Sequence, residues 1–226
     1  MPYTQILFPR TQAISLFSLV PTLAIIFAIN HSLAILFILL ILWFFLFRPF
    51  DRTEILMFII GSLFIVGQNY SVLKSGGFSF THKDFLLMPY YEPFMWGFYY
   101  LHIKRFINEP SESKKLEIKA ILGLLITGAC FSIFAQNSNL LTIFSFLTTA
   151  VLLTMFHERY DLYYAGYALV LGFIIEVFGV FSGNWWYPDP DMLGIPYWFI
   201  TMWISVGLLA RRFLIPFTEW LSKKIV

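Results

Sequence analysis

A succession of long apolar segments is the feature that most constrains how this chain folds. A membrane-spanning helix needs about 20 mostly apolar residues. Eight segments approach or reach that length, separated by short polar breaks: 13–29, 32–47, 54–72, 85–103, 117–135, 139–156, 162–182 and 196–215. Backbone amides in lipid must be satisfied within the segment, and no segment alternates with the period of a barrel strand. The sequence therefore predicts an all-α, polytopic membrane bundle of about eight transmembrane helices.

The composition excludes an ordinary soluble domain. Of the 226 residues, 59% are hydrophobic and 12% are charged, whereas soluble proteins average about 45–50% and about 25%. We expect one integral-membrane domain covering residues 1–226 and surrounded by the lipid bilayer. A net charge of +2 gives no reason to expect nucleic acid as a partner. Cys130 is the only cysteine, which excludes an intrachain disulfide.

The basic residues predict the orientation, because cytoplasmic segments of membrane proteins carry an excess of Lys and Arg. Of the 15 basic residues, only Lys74 and Lys83 lie outside when both termini are cytoplasmic. The inner segments then hold all the others: Arg10, Arg48, Arg52, Lys104, Arg105, Lys114, Lys115, Lys119, Arg159, Arg211, Arg212, Lys223 and Lys224. We predict a multi-pass protein of the plasma or inner cell membrane with both termini inside.

Two glutamates interrupt the apolar spans. An ionisable side chain in lipid is costly, which makes it a candidate functional group. Glu92 lies in the fourth span, about 10 Å from the outer end of a helix that starts at Phe85. Glu176 lies at a similar depth in the seventh span, which runs outward. We therefore predict that Glu92 and Glu176 are the catalytic residues of one site.

Other polar and aromatic side chains collect at the same predicted depth. They are the expected substrate-binding residues: Gln68, Asn69, Tyr91, Asn184, Trp185, Trp186, Tyr187, Asp189 and Asp191. The same residues also have a purely structural explanation. Polar groups hold membrane helices together, and tryptophan and tyrosine are enriched at the membrane interface.

A buried pocket of this kind is suited to alkene protonation. Burial keeps a carboxyl group protonated, so that it can donate its proton to a weakly basic hydrophobic substrate. Aromatic faces then stabilise the developing cation. We expect no metal, since His does not cluster with Asp or Glu at ligand spacing, and no cofactor, since the glycine-rich nucleotide motifs are missing.

A pattern near the C-terminus resembles that of a known group of enzymes. Glu176, Gly179, Gly183, Tyr187, Gly194, Pro196 and Trp203 resemble a series in the carotenoid hydratases that act on acyclic C50 carotenoids. The pattern is also similar to half of the small integral-membrane lycopene cyclases. The resemblance implies a cofactor-free membrane enzyme that hydrates or cyclises an isoprenoid. The cyclases carry two adjacent glutamates after a proline, whereas Pro89-Tyr90-Tyr91-Glu92 offers one, which favours hydration.

Two alternatives stay open from the sequence. A small proton-coupled transporter also uses acidic residues within spans, although no internal repeat is evident to support it. A non-catalytic scaffold subunit would instead use the loop between the last two spans to bind a partner. The sequence leaves the oligomeric state undetermined.

Overall fold

A computed structural model describes residues 10–110 and 115–225 of the chain. Helices and two short strands follow one another as α1 (Arg10–Ala28), α2 (Ser32–Phe47), α3 (Arg52–Lys74), β1 (Ser79–Phe80), α4 (Glu92–Ile107), α5 (Ile118–Phe134), α6 (Ser138–Met155), α7 (Arg159–Phe181), β2 (Trp185–Trp186), α8 (Trp198–Leu209), a π-helical turn (Ala210–Leu214) and α9 (Ile215–Lys224). The predicted fold class, an all-α polytopic membrane bundle, is confirmed.

The helices have the dimensions that a bilayer requires. Over the described residues, α1, α3, α6, α7 and the continuous helix Trp198–Lys224 are long and apolar enough to cross a membrane. The apolar helices α2 and α5 are shorter. Large hydrophobic side chains cover the outside of the bundle, as expected where the solvent is lipid.

The fourth helix begins later than predicted. Residues 85–91 form a turn in which Leu86 and Leu87 adopt the left-handed backbone conformation and Phe85 pairs with Met88. Helix α4 begins only at Glu92, with Pro93 in its first turn. The predicted depth of about 10 Å for Glu92 within its helix is therefore wrong. The apolar composition of 85–91 resembles a span, but its backbone is not helical.

The chain contains two equivalent halves, which corrects the expectation of no internal repeat. Helices α3 and α4 and the loop between them correspond to α7, α8 and their loop. The two segments align when each position is paired with the one 107 residues later. Matching pairs include Arg52 and Arg159, Ser75 and Ser182, Gly76 and Gly183, Asp84 and Asp191, Pro89 and Pro196, Trp96 and Trp203, and Arg105 and Arg212. The chain is therefore two four-helix units followed by α9.

The start of each repeat uses the same local structure. Asp51 and Glu54 form a capping box at the start of α3, and Glu158 and Asp161 form one at the start of α7. The carboxylate of the second residue then pairs with an arginine. Arg105 binds Glu54 at 2.5 Å, and the equivalent Arg212 binds Asp161 at 2.6 Å.

The helix ends and loops match as well. Gly76 and Gly183 take the left-handed conformation just after α3 and α7, where glycine is favoured at a helix C-terminus. The backbone N–H of Asp84 donates to the carbonyl of Met88, and Asp191 donates to Ile195 in the same way. These positions determine backbone geometry, which explains why they agree between halves whose apolar residues differ.

The two halves meet around an approximate two-fold axis. Strands β1 and β2 pair antiparallel, with Ser79 opposite Trp186 and Phe80 opposite Trp185. Ser79 and Trp186 are themselves equivalent residues, so their pairing lies on the axis. Further in, the equivalent Trp96 and Trp203 stack on each other. Glu92 and Glu176 accept hydrogen bonds from this pair of tryptophans.

Candidate functional site

The Glu176 carboxylate accepts hydrogen bonds from three aromatic side chains. Its Oε2 accepts hydrogen bonds from the Trp185 indole at 3.0 Å and the Tyr187 hydroxyl at 2.7 Å. Its Oε1 accepts one from the Trp203 indole at 3.3 Å. Burial, followed by the neighbouring Glu176 carboxylate, holds the pKa of the Tyr187 hydroxyl well above its usual range. Tyr187 therefore remains a hydrogen-bond donor at neutral pH.

Glu92 has its own donors. Its Oε1 accepts from the Trp96 indole at 3.0 Å, one turn further along α4, and from the Asn69 amide at 3.4 Å. Asn69 is the residue of the first half that corresponds to Glu176. Each half thus contributes one glutamate, from inequivalent positions, to the same layer.

Glycines on α7 create the space for the two tryptophans that bind Glu176. A Cβ added to Gly172 would lie 2.2 Å from the Trp203 ring, and one added to Gly179 would lie 1.9 Å from the Trp185 ring. Both distances are far below van der Waals contact. Gly172, Glu176 and Gly179 therefore lie on one face of the helix. On that face, the Glu176 carboxylate lies between two glycines, and an indole ring packs against each of them.

Glu92 and Glu176 line one small cavity of about 40 Å³. Asn69, Trp185 and Tyr187 line it as well. A water molecule needs roughly 10–15 Å³ of such volume, so the cavity holds a few waters at most. An isoprenoid does not fit between the two carboxylates.

The remaining predicted substrate-binding residues lie outside this cavity. The Gln68 amide points to α5 and donates to the Gly128 carbonyl at 3.3 Å. The Tyr91 hydroxyl donates to the Asn184 side chain at 3.5 Å. Trp186 and Asp189 are exposed. The Asp191 carboxylate accepts from the backbone N–H of Tyr197, just before α8.

The sequence prediction of the site left out Trp96 and Trp203. A tryptophan within an apolar span has an ordinary packing explanation, which hid their role. Two signals identify them: Trp96 lies four residues after Glu92, on the same helix face, and Trp203 is its equivalent in the second half.

A larger apolar pocket adjoins the glutamate layer. It has a volume of about 190 Å³ and lies between α3, α5 and α8. Five residues line both this pocket and the small cavity: Asn69, Phe78, Trp96, Trp198 and Met202. Its walls are almost entirely apolar. The Thr127 hydroxyl at this pocket is buried without a hydrogen-bond partner among the described residues.

Among known proteins, similarity was found at the level of the fold. Neither protein-family profiles nor curated protein sequences gave a match. The fold is similar to that of a mycobacterial Insig homologue, MvINS from Mycobacterium vanbaalenii, with a TM-score of 0.63 at 14% identity. The chain has an Insig-like fold. A structure of a cross-linked trimer of an MvINS variant gives a TM-score of 0.62 at 15% identity. Each comparison covers 76% of this chain and 97% of the MvINS chain.

These findings correct two predictions. The resemblance to carotenoid hydratases and lycopene cyclases was wrong, because the similar solved structures belong to an Insig homologue. The prediction of an enzyme that protonates an isoprenoid double bond was also wrong. The physical reason is visible in the site: both carboxylates are held by indole, phenol or amide donors, in a space that admits only water.

Proposed function

We propose that this protein is a non-catalytic, multi-pass membrane protein that binds an apolar small molecule in the pocket between α3, α5 and α8. The observation that carries the proposal is the contrast between two adjoining spaces. The space at the glutamates is about 40 Å³ and surrounded by satisfied polar groups, whereas its neighbour is about 190 Å³ and almost wholly apolar.

The size and lining of the pocket support ligand binding. An engineered apolar cavity of about 150 Å³ stays dry and binds benzene, so about 190 Å³ accommodates a small ring or a short chain. Binding pockets typically combine apolar walls with a few polar groups. Thr127 and Gln68 supply such groups, and the Thr127 hydroxyl has no protein partner among the described residues.

In this proposal Glu92 and Glu176 have a structural role. Buried polar networks fix the relative position of helices. Glu92 ties α4 to α3 through Asn69, and Glu176 ties α7 to α8 through Trp203. The layer therefore holds one end of the pocket rigid.

The proposed location is the cell membrane, with both termini in the cytoplasm. The excess of Lys and Arg on the predicted inner side supports it. We also propose self-association, which is supported by the cross-linked trimer of the MvINS variant with the same fold.

The test is a matched pair of substitutions. Val206→Phe adds bulk inside the pocket, whereas Val170→Phe makes the same exchange at a lipid-exposed position of α7. We expect solvent extracts of the purified native protein and of Val170→Phe to contain the same apolar compound by mass spectrometry. Val206→Phe should lose most of it while melting at a similar temperature. Equal amounts in all three proteins, or none in any, would contradict the proposal.

A further inference from the structure

The pocket has a filled counterpart on the opposite side of the two-fold axis. Ile60, Leu209 and Phe213 line the pocket. Their equivalents 107 residues away are Tyr167, His102 and Phe106. Tyr167 on α7, in the second half, contacts both His102 and Phe106 on α4.

The filled side contains a stacked aromatic ring. The Tyr167 ring lies 3.9 Å from the Phe106 ring between centroids, at an interplanar angle of 9°. It also stacks on the His102 ring at 5.7 Å and 11°. The Tyr167 hydroxyl lies 2.6 Å from His102 Nε2. A planar ring with a polar edge thus completes this interface from within the chain.

Two differences leave the other side open. Ile60 stands where the other half has Tyr167, so this position of α3 carries no ring to stack on Phe213, which stacks on Phe217 instead. Helix α5 also contacts α8 and the π-helical turn, which together correspond to α4, less extensively than its counterpart α1 contacts α4. Phe213, the counterpart of the stacking Phe106, is retained and lines the pocket.

The polar groups are also placed differently. Leu209 occupies the position of His102, so the pocket offers no polar partner to the ring edge at that point. Among the described residues that line the pocket, Thr127 on α5 has a buried hydroxyl without a hydrogen-bond partner. An occupant therefore needs an apolar ring edge near Leu209 and a polar group elsewhere in the molecule.

We propose that the ligand carries a planar ring that stacks on Phe213 in the place that Tyr167 fills in the other half, and that its polar group bonds to the Thr127 hydroxyl. This inference rests on the proposed function, since it names the ligand class of the same pocket. The ligand would thus take the place that the Tyr167 side chain occupies in the other half.

Three small probes of similar size test the ring and the position of its polar group. Phenylpropanol, with its hydroxyl at the chain end, has a planar ring and a distant polar group. Cyclohexylpropanol replaces the planar ring with a puckered one, and propylphenol moves the hydroxyl onto the ring. We expect phenylpropanol to raise the melting temperature of the detergent-purified protein most, with about three- to ten-fold tighter binding than cyclohexylpropanol, the usual worth of a ring stack.

Substitution at Ile60 provides the structural control. Ile60→Tyr introduces the residue found at the equivalent position of the other half. It should abolish the stabilisation by phenylpropanol, while the ligand-free variant melts at the same temperature as the native protein or higher. Thr127→Val should weaken phenylpropanol binding without affecting propylbenzene, which has no hydroxyl. Ile59→Tyr, at an exposed neighbouring position on α3, should leave binding unchanged.

The outcomes separate the two proposals. Equal binding of phenylpropanol and cyclohexylpropanol, with both lost in Ile60→Tyr, would overturn the planar-ring inference and leave the pocket as a binding site. Binding that persists in Ile60→Tyr would also overturn the inference. If no probe binds the native protein, the proposed function fails as well.

Discussion

The indole rings of Trp96 and Trp203 stack with their centroids 5.1 Å apart and their planes 20° from parallel. Each donates its N–H to a different glutamate, Trp96 to Glu92 and Trp203 to Glu176. The two carboxylates are therefore connected through a pair of equivalent residues on the two-fold axis. We expect a substitution at one glutamate to affect the structure around the other glutamate as well.

Replacing Glu176 with Gln should destabilise the protein. The amide keeps one acceptor oxygen, but its NH₂ group cannot accept from the donors that now bind the second oxygen. Leaving buried groups unsatisfied costs about 1–3 kcal/mol. Thermal unfolding followed by tryptophan fluorescence should show a lower midpoint for Glu176→Gln and no change for the exposed Asp189→Asn. An unchanged midpoint would mean that the three donors do not depend on this carboxylate.

The glycines of α7 should differ sharply in their tolerance of alanine. Gly172→Ala places a methyl group 2.2 Å from the Trp203 ring and should lower the unfolding free energy by about 1–3 kcal/mol. Gly166→Ala, in the same helix, meets nothing within 4 Å and should be neutral or stabilise by up to about 1 kcal/mol. The comparison uses chemical denaturation of the two variants in the same detergent. Equal effects would exclude close packing at Gly172 as the cause.

The hydroxyls of Thr127 and Thr149 should also respond differently to removal. Thr149 bonds to Ser205 at 2.9 Å and to the Thr201 carbonyl at 3.2 Å, so Thr149→Val should cost about 1–3 kcal/mol. Thr127 has no partner among the described residues, so Thr127→Val should leave the ligand-free protein as stable or more stable. Melting temperatures measured after extensive delipidation test this. A large loss for Thr127→Val would reveal a protein partner for its hydroxyl.

The contribution of each ion pair at the start of the second repeat to stability should depend on how deeply its carboxylate is buried. Asp161 is fully buried and binds both Arg211 and Arg212. Removing one member of a buried pair typically costs about 3–5 kcal/mol, which Asp161→Asn should show as poor folding or a much lower melting temperature. Glu117→Gln, at a half-exposed carboxylate 3.3 Å from Arg212, should cost less than about 1 kcal/mol. Similar losses in both variants would contradict a burial-dependent effect.

The predicted orientation can be tested by cysteine labelling, because Cys130 is buried and gives little background. In intact cells, a membrane-impermeant maleimide should label Asp189→Cys, in the loop before α8. Lys115→Cys, before α5, should be labelled only after permeabilisation. The opposite pattern would place the termini outside.

The sequence was sufficient to predict the helical bundle because the length of an apolar segment directly reflects the thickness of a bilayer. It was insufficient at residues 85–91, where the composition is apolar but Leu86 and Leu87 have positive φ values. The internal repeat was missed for a related reason. Apolar residues exchange freely when they face lipid, so the matching positions are few and concentrate at turns, caps and ion pairs.

The candidate site was partly accessible from sequence. Charge within an apolar segment identified Glu92 and Glu176, and both line one cavity. The size of that cavity depends on how Trp185 and Trp203 lie against Gly179 and Gly172, which no composition or spacing specified. Whether a glutamate is free to react or held by neighbouring rings is a property of packing.

The pairing of Ser79 with Trp186 joins the two long loops over the glutamate layer and closes that end of the bundle. The apolar pocket beneath it reaches the outer surface of the helices at Phe64, which is 41% exposed. For the proposed ligand we expect entry from the side, between the acyl chains of the lipids. Occupancy should follow the amount of compound dissolved in the hydrocarbon of the bilayer, so partition coefficient will rank ligands better than aqueous solubility does.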